Sequence, residues 1–177
     1  MSAIRPALVA VCVIVCVVLQ LSVFTQLAVA AVVPDIAMVF VIAAALARGP
    51  SYAAGLGFCA GLVLDLAPPA DHTLGRWALT FVIVGYLAGL VRQDTNRSVV
   101  ASAACVAASV FIGTSVFALS GIVLGESGVS IARALQVIPL AVLYDVAVAL
   151  VLLPVARAVL VGRDSAPAQS RVGVGVR

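Results

Sequence analysis

The chain has 177 residues, is 64% hydrophobic and carries ten basic and seven acidic side chains for a net charge of +3, with a mean hydropathy of +1.28. Soluble domains hold roughly 45–50% apolar residues, and so few charges cannot cover an uncharged run such as the 27 residues from Ala7 to Val33, so a soluble globular protein is excluded. All ten basic residues are arginine, but their positions matter more than their sum, and they give no nucleic-acid reading.

Unpaired backbone groups are too costly in hydrocarbon for anything but helices or closed barrels, and the apolar runs do not alternate as barrel strands do. The expected fold is an all-α polytopic membrane helix bundle with six transmembrane helices. The first run, about 7–32, follows Arg5 and ends near Ala28-Val29-Ala30, which mimics a signal-peptide cleavage site. The run is about twice the length of a secretory core, so a retained spanning helix is expected. Within it Gln20, Ser22, Thr25 and Gln26 form a polar patch suited to interhelical hydrogen bonds.

Pro34 and Asp35 open a second span, about 34–47, with proline in the first turn and a carboxylate at the positive end of the helix dipole. Only Arg48-Gly-Pro50 separates it from a third, about 51–67. These two spans are short: 14 residues reach about 21 Å of a roughly 30 Å hydrocarbon core. The third span contains GLGFCAGLVLDL, Gly55 to Leu66, in which Gly57 and Gly61 share a helix face and Asp65 stands near the end. An interfacial carboxylate there either caps the following loop or makes a functional contact. The loop after it holds Asp71 and His72 beside Thr73, too common a combination to count as a catalytic triad.

Gly85 and Gly89 repeat the four-residue spacing in the fourth span, about 76–91, and Ala101, Cys105, Ser109 and Gly113 extend it as a stripe along the fifth, about 99–124. Small residues let helix backbones approach closely in lipid. Such faces serve either packing within the bundle or docking of a partner helix. The sixth span, about 134–161, carries Asp145 roughly a dozen residues in, near the bilayer middle. Twelve Leu, Ile or Val residues between Val137 and Val155 offset the insertion cost of one aspartate. Asp145 must be protonated, or accept hydrogen bonds from groups such as its neighbour Tyr144, Gln20, Ser22 or Tyr86, and must face the bundle interior. Residues 1–161 thus form one membrane domain, and residues 162–177 read as a flexible cytoplasmic tail.

With the N-terminus inside, eight arginines (5, 48, 92, 97, 157, 163, 171 and 177) fall on the cytoplasmic side and two (76 and 133) outside. That bias places both termini in the cytoplasm. Cys12, Cys16, Cys59 and Cys105 show no metal-site spacing. No cofactor is expected, and no nucleophile, base and orienting partner occur together, so no enzyme is expected either.

The ordered series LQLSVF (19–24), Pro34-Asp35, Arg48-Gly49-Pro50, Gly57-Phe-x-x-Gly61-Leu-x-x-Asp65-Leu66, Leu74-Gly75, Gly85-Tyr86-Leu87-x-Gly89 and Leu143-Tyr144-Asp145 resembles the rod shape-determining protein MreD family. Where that family tends to have an asparagine this chain has Asp145. The resemblance implies a non-enzymatic subunit of the bacterial cell-elongation machinery in the cell membrane. Its implied partners are an MreC-like single-span protein, a RodA-like peptidoglycan polymerase and its transpeptidase, with MreB filaments on the cytoplasmic side. The family is also similar in fold to substrate-binding subunits of energy-coupling-factor vitamin transporters, which supplies the alternative: a small-molecule subunit built around Asp145 and the polar patch of the first helix.

Overall fold

The computed structural model describes residues 4–28, 32–68, 73–95, 98–126 and 130–161. The Asp71-His72 loop, Arg97, and the tail with Arg163, Arg171 and Arg177 lie outside the described residues. Among the described residues there are seven α-helices and no strand: α1 (Ile4–Ser22), a 3₁₀ turn (Phe24–Leu27), α2 (Ile36–Arg48), α3 (Pro50–Leu66), α4 (Arg76–Leu90), α5 (Arg92–Thr95), α6 (Val99–Val123) and α7 (Ile131–Val161). α1, α6 and α7 are long and apolar enough to cross a membrane, whereas α2, α3 and α4 are apolar but shorter.

Helices stand where the apolar runs are, with one clear departure. α1 stops at Ser22, not near 32, because its polar patch ends it. Thr25 Oγ1 donates to Leu21 O at 2.9 Å and Gln26 Nε2 to Ser22 O at 3.2 Å, so side chains take carbonyls that would otherwise extend the ladder. At the other end of the chain α7 begins at Ile131, three residues before the expected start. Ser130 caps it, its Oγ accepting from Arg133 N at 3.2 Å.

α2 is apolar on every side and is accordingly the buried helix of the bundle. All of Ile36–Leu46 is buried, with α1, α3, α4, α6 and α7 packed around it. It turns into α3 through Gly49, whose φ of +93° suits glycine, and Pro50 at the first position of α3. At this end Arg48 Nη1 donates to Leu160 O at 3.0 Å and stacks over Tyr52 at 4.8 Å, while Arg157 Nη2 donates to Ser102 Oγ at 3.2 Å.

α3 and α4 form the closest pair. A Cβ placed on Gly57 would lie 2.4 Å from Phe81 O, on Gly61 2.5 Å from Ala78 Cα, on Gly85 2.7 Å from Ala53 O and on Gly89 2.4 Å from Pro50 Cα. The four glycines therefore belong to one seam in which each helix occupies the small face of the other. The α6 stripe also faces inward. Cys105, Ser109 and Gly113 are buried and Ala101 is half-buried, and a Cβ on Gly113 would meet Met38 Cε and Val84 Cγ2 at 2.9 Å.

The short α2 leaves space beside the long α7. Arg48 touches Leu160 and Asp35 touches Asp145, so α2 runs along only the C-terminal half of α7. The first 14 residues of α7, 131–144, continue roughly 21 Å beyond the start of α2.

Candidate functional site

A buried helix that begins inside the protein must find acceptors for its first amides. α2 draws them from its own cap residue and from two other helices. Asp35 caps its own helix, Oδ1 accepting from Met38 N at 2.9 Å. Gln20 of α1 accepts from Ala37 N through Oε1 at 3.0 Å, and Asp145 of α7 accepts from Asp35 N through Oδ1 at 2.6 Å. Gln20, Asp35 and Asp145 are 7%, 7% and 1% exposed. Asp35 Oδ2 has no hydrogen-bond partner among the described residues.

The partner of Asp145 is thus a backbone amide, where side-chain donors had been expected. Gln20 turns to Ala37, Ser22 is exposed, Tyr86 is exposed on another helix, and Tyr144 lines a groove against α1 with Cys16 and Leu19. Of the polar patch on the first run, Gln20 alone bonds to another helix among the described residues, since Thr25 and Gln26 bond within their own turn.

Asp65 does the corresponding work at α4, whose N-cap Gly75 offers no side chain. Its Oδ1 accepts from Trp77 N at 3.1 Å and its Oδ2 from Ala78 N at 3.0 Å, and the residue is 1% exposed. The acid of the Gly55–Leu66 stretch is therefore a cap supplied from α3 to α4.

Above these caps an arginine is locked in place. Arg76, 4% exposed, donates from Nε to Ser120 Oγ at 3.1 Å, from Nη1 to Glu126 Oε2 and from Nη2 to Phe117 O. Its guanidinium lies 3.9 Å from the centre of the Phe117 ring, and Trp77 stacks on the same residue at 4.1 Å. With each nitrogen bonded, the burial of the charge is compensated. Glu126 also accepts from Thr73 N through Oε1 at 2.6 Å. The Thr73 amide first, then Arg76, hold its carboxyl below the usual glutamate range.

Between these groups lies a cavity of about 360 Å³, lined by Asp35 and Asp145, by Arg76, Trp77 and Phe117, and by α7 residues from Arg133 to Ala141. Sequence reading singled out Asp145 but not the Arg76, Phe117 and Glu126 cluster. Its members lie 41 and 50 residues apart, and no local spacing signals such a pairing; a lone arginine opening an apolar helix was the available hint.

A family model, rod shape-determining protein MreD, matches residues 1–161. The chain belongs to the MreD family. No curated protein and no solved structure matches it significantly. As an MreD-family chain it is a rod-shape membrane protein, and the capped half-length α2, the α3–α4 glycine seam and the cavity are this MreD chain's own geometry.

Proposed function

We propose that this chain is a non-enzymatic scaffold of the bacterial elongation complex, supporting peptidoglycan synthesis and cell shape through helix contacts with an MreC-like protein and with a RodA-like polymerase and its transpeptidase. Family membership over residues 1–161 is the observation that carries this reading. Six spans with both termini in the cytoplasm suit the arginine bias of eight against two. Residues 1–161 form the membrane domain, and 162–177 the cytoplasmic tail.

The α3 and α4 glycine faces are taken up by each other, so partner contacts fall to apolar faces still exposed, such as Val11, Ile14 and Val18 on α1 and Leu143, Leu150 and Val151 on α7. Photo-crosslinking residues placed at Ile14 and Leu150 test this. Capture of an MreC-like partner from either face is the expected result. If the partner co-purifies undiminished yet no exposed position of α1 or α7 captures it, this placement is wrong. The cavity beside Asp145 favours a second reading, a transporter substrate-binding subunit, which co-purification with ATPase subunits would distinguish from the first.

A further inference from the structure

The cavity over the start of α2, about 360 Å³, falls at the lower end of the roughly 300–1,000 Å³ range of small-molecule sites. Asp35 and Asp145 line it with Trp77, Phe117, Arg133 and Arg76, the last with its three nitrogens bonded to Ser120, Glu126 and Phe117. Buried carboxylate oxygens are normally supplied with donors. Here the protein's own donors are spent elsewhere: Met38 N bonds Asp35 Oδ1 and Asp35 N bonds Asp145 Oδ1. Gln20 interacts with the Asp35 carboxyl from α1, but Asp35 Oδ2 itself has no partner within hydrogen-bonding geometry among the described residues, in a residue 7% exposed. The remaining demand is for a donor from outside the described protein.

The nature of that donor follows from the rest of the lining. Among the described residues no group of three metal-type side chains occurs, which argues for a hydrogen-bonding cation over a coordinated ion. Arg133 is exposed and stands twelve residues before Asp145 on α7, roughly 18 Å along the helix. A positive charge there opposes entry of a polycation and attracts an anionic group. We propose that this cavity binds a primary ammonium group belonging to a ligand that also carries an anionic group, the ammonium at Asp35 and Asp145 and the anion toward Arg133. An ammonium presents three donors, whereas a quaternary amine presents none. Two sources share this chemistry: the aminoethyl phosphate headgroup of a bilayer lipid and a small soluble zwitterion. The inference does not depend on the scaffold reading.

The full chain in nanodiscs of mixed phosphatidylethanolamine and phosphatidylcholine, examined by native mass spectrometry, tests the lipid source. Retention of the primary amine over the quaternary amine by roughly tenfold is expected. That preference should fall toward parity in Asp35→Asn and Asp145→Asn, both of which keep an acceptor for the α2 amides. For the soluble source, phosphoethanolamine should raise the Tm of the detergent-purified chain, and the same variants should abolish the rise. Arg133→Gln, an exposed change on the rim, should weaken either response without lowering the unliganded Tm. Equal retention of both lipids together with no response to phosphoethanolamine would overturn the proposal, as would a preference that survives both asparagine variants.

Discussion

Two helices of this protein begin in its interior, and each start is capped by a carboxylate from another helix. At α4, Asp65 spends one oxygen on Trp77 N and the other on Ala78 N. At α2, Asp145, Asp35 and Gln20 share three amides, and one Asp35 oxygen is left over beside a cavity. The difference separates two uses of an acid in an oily chain. A carboxylate with both oxygens committed is part of the frame. One with spare capacity facing a hollow can meet something the chain does not supply.

The largest effect is expected where the frame is tightest. Asp65→Ala leaves two amides near the α3–α4 contact without acceptors, at a cost of about 3 kcal/mol. Asp65→Asn should recover only part of that, because its NH₂ group would face an N–H where an oxygen now accepts. Thermal unfolding in detergent, followed by circular dichroism, should rank parent, Asn and Ala in that order; equal Tm values would show that the cap does not hold α4. Gly61→Ala attacks the same cap from one turn away. Its Cβ would meet Ala78 Cα and N at 2.5 Å, and relief requires moving α3 from the helix whose Ala78 amide Asp65 caps, at about 1–3 kcal/mol. Combined with Asp65→Ala it should cost less than the sum of the two.

Much of this frame was legible in the amino-acid order. Arg48-Gly-Pro50 marked the α2–α3 turn, and the paired four-residue glycine spacings marked the faces of α3 and α4, because helix geometry converts spacing directly into a surface. That the two faces meet each other is a tertiary fact with no local signature. Asp145 was readable as an interior acid, since a charge deep in an apolar run has nowhere else to go. Its partner was not readable. Backbone amides carry no residue identity, so a search among side chains for a donor passes over Asp35 N.

A smaller effect is expected at the outer clasp of α4. Glu126 has its carboxyl lowered by the Thr73 amide and by Arg76. A lowered value means that its contribution is fully present above the ordinary glutamate pKa of about 4.3 and is lost as pH falls through the native value. The Tm of the parent should therefore drop in acid more than that of Glu126→Gln, which lacks this component at every pH. Parallel profiles would show that the clasp adds nothing to stability.

The smallest effect on stability is expected for Asp145→Asn, and it sharpens the contrast with Asp65. Only the Oδ1 of Asp145 is engaged by an amide, Asp35 N, so Asp145→Asn can keep that bond through its carbonyl oxygen in a residue 1% exposed. With the acceptor kept and the volume nearly unchanged, the variant should match the parent to within about 0.5 kcal/mol. Asp145→Ala, which removes the acceptor as well, should fall by about 1–3 kcal/mol. A clear loss in Asp145→Asn would mean that both oxygens are structural. The α2 start would then be a frame like the α4 start, and no capacity would remain there for an outside donor.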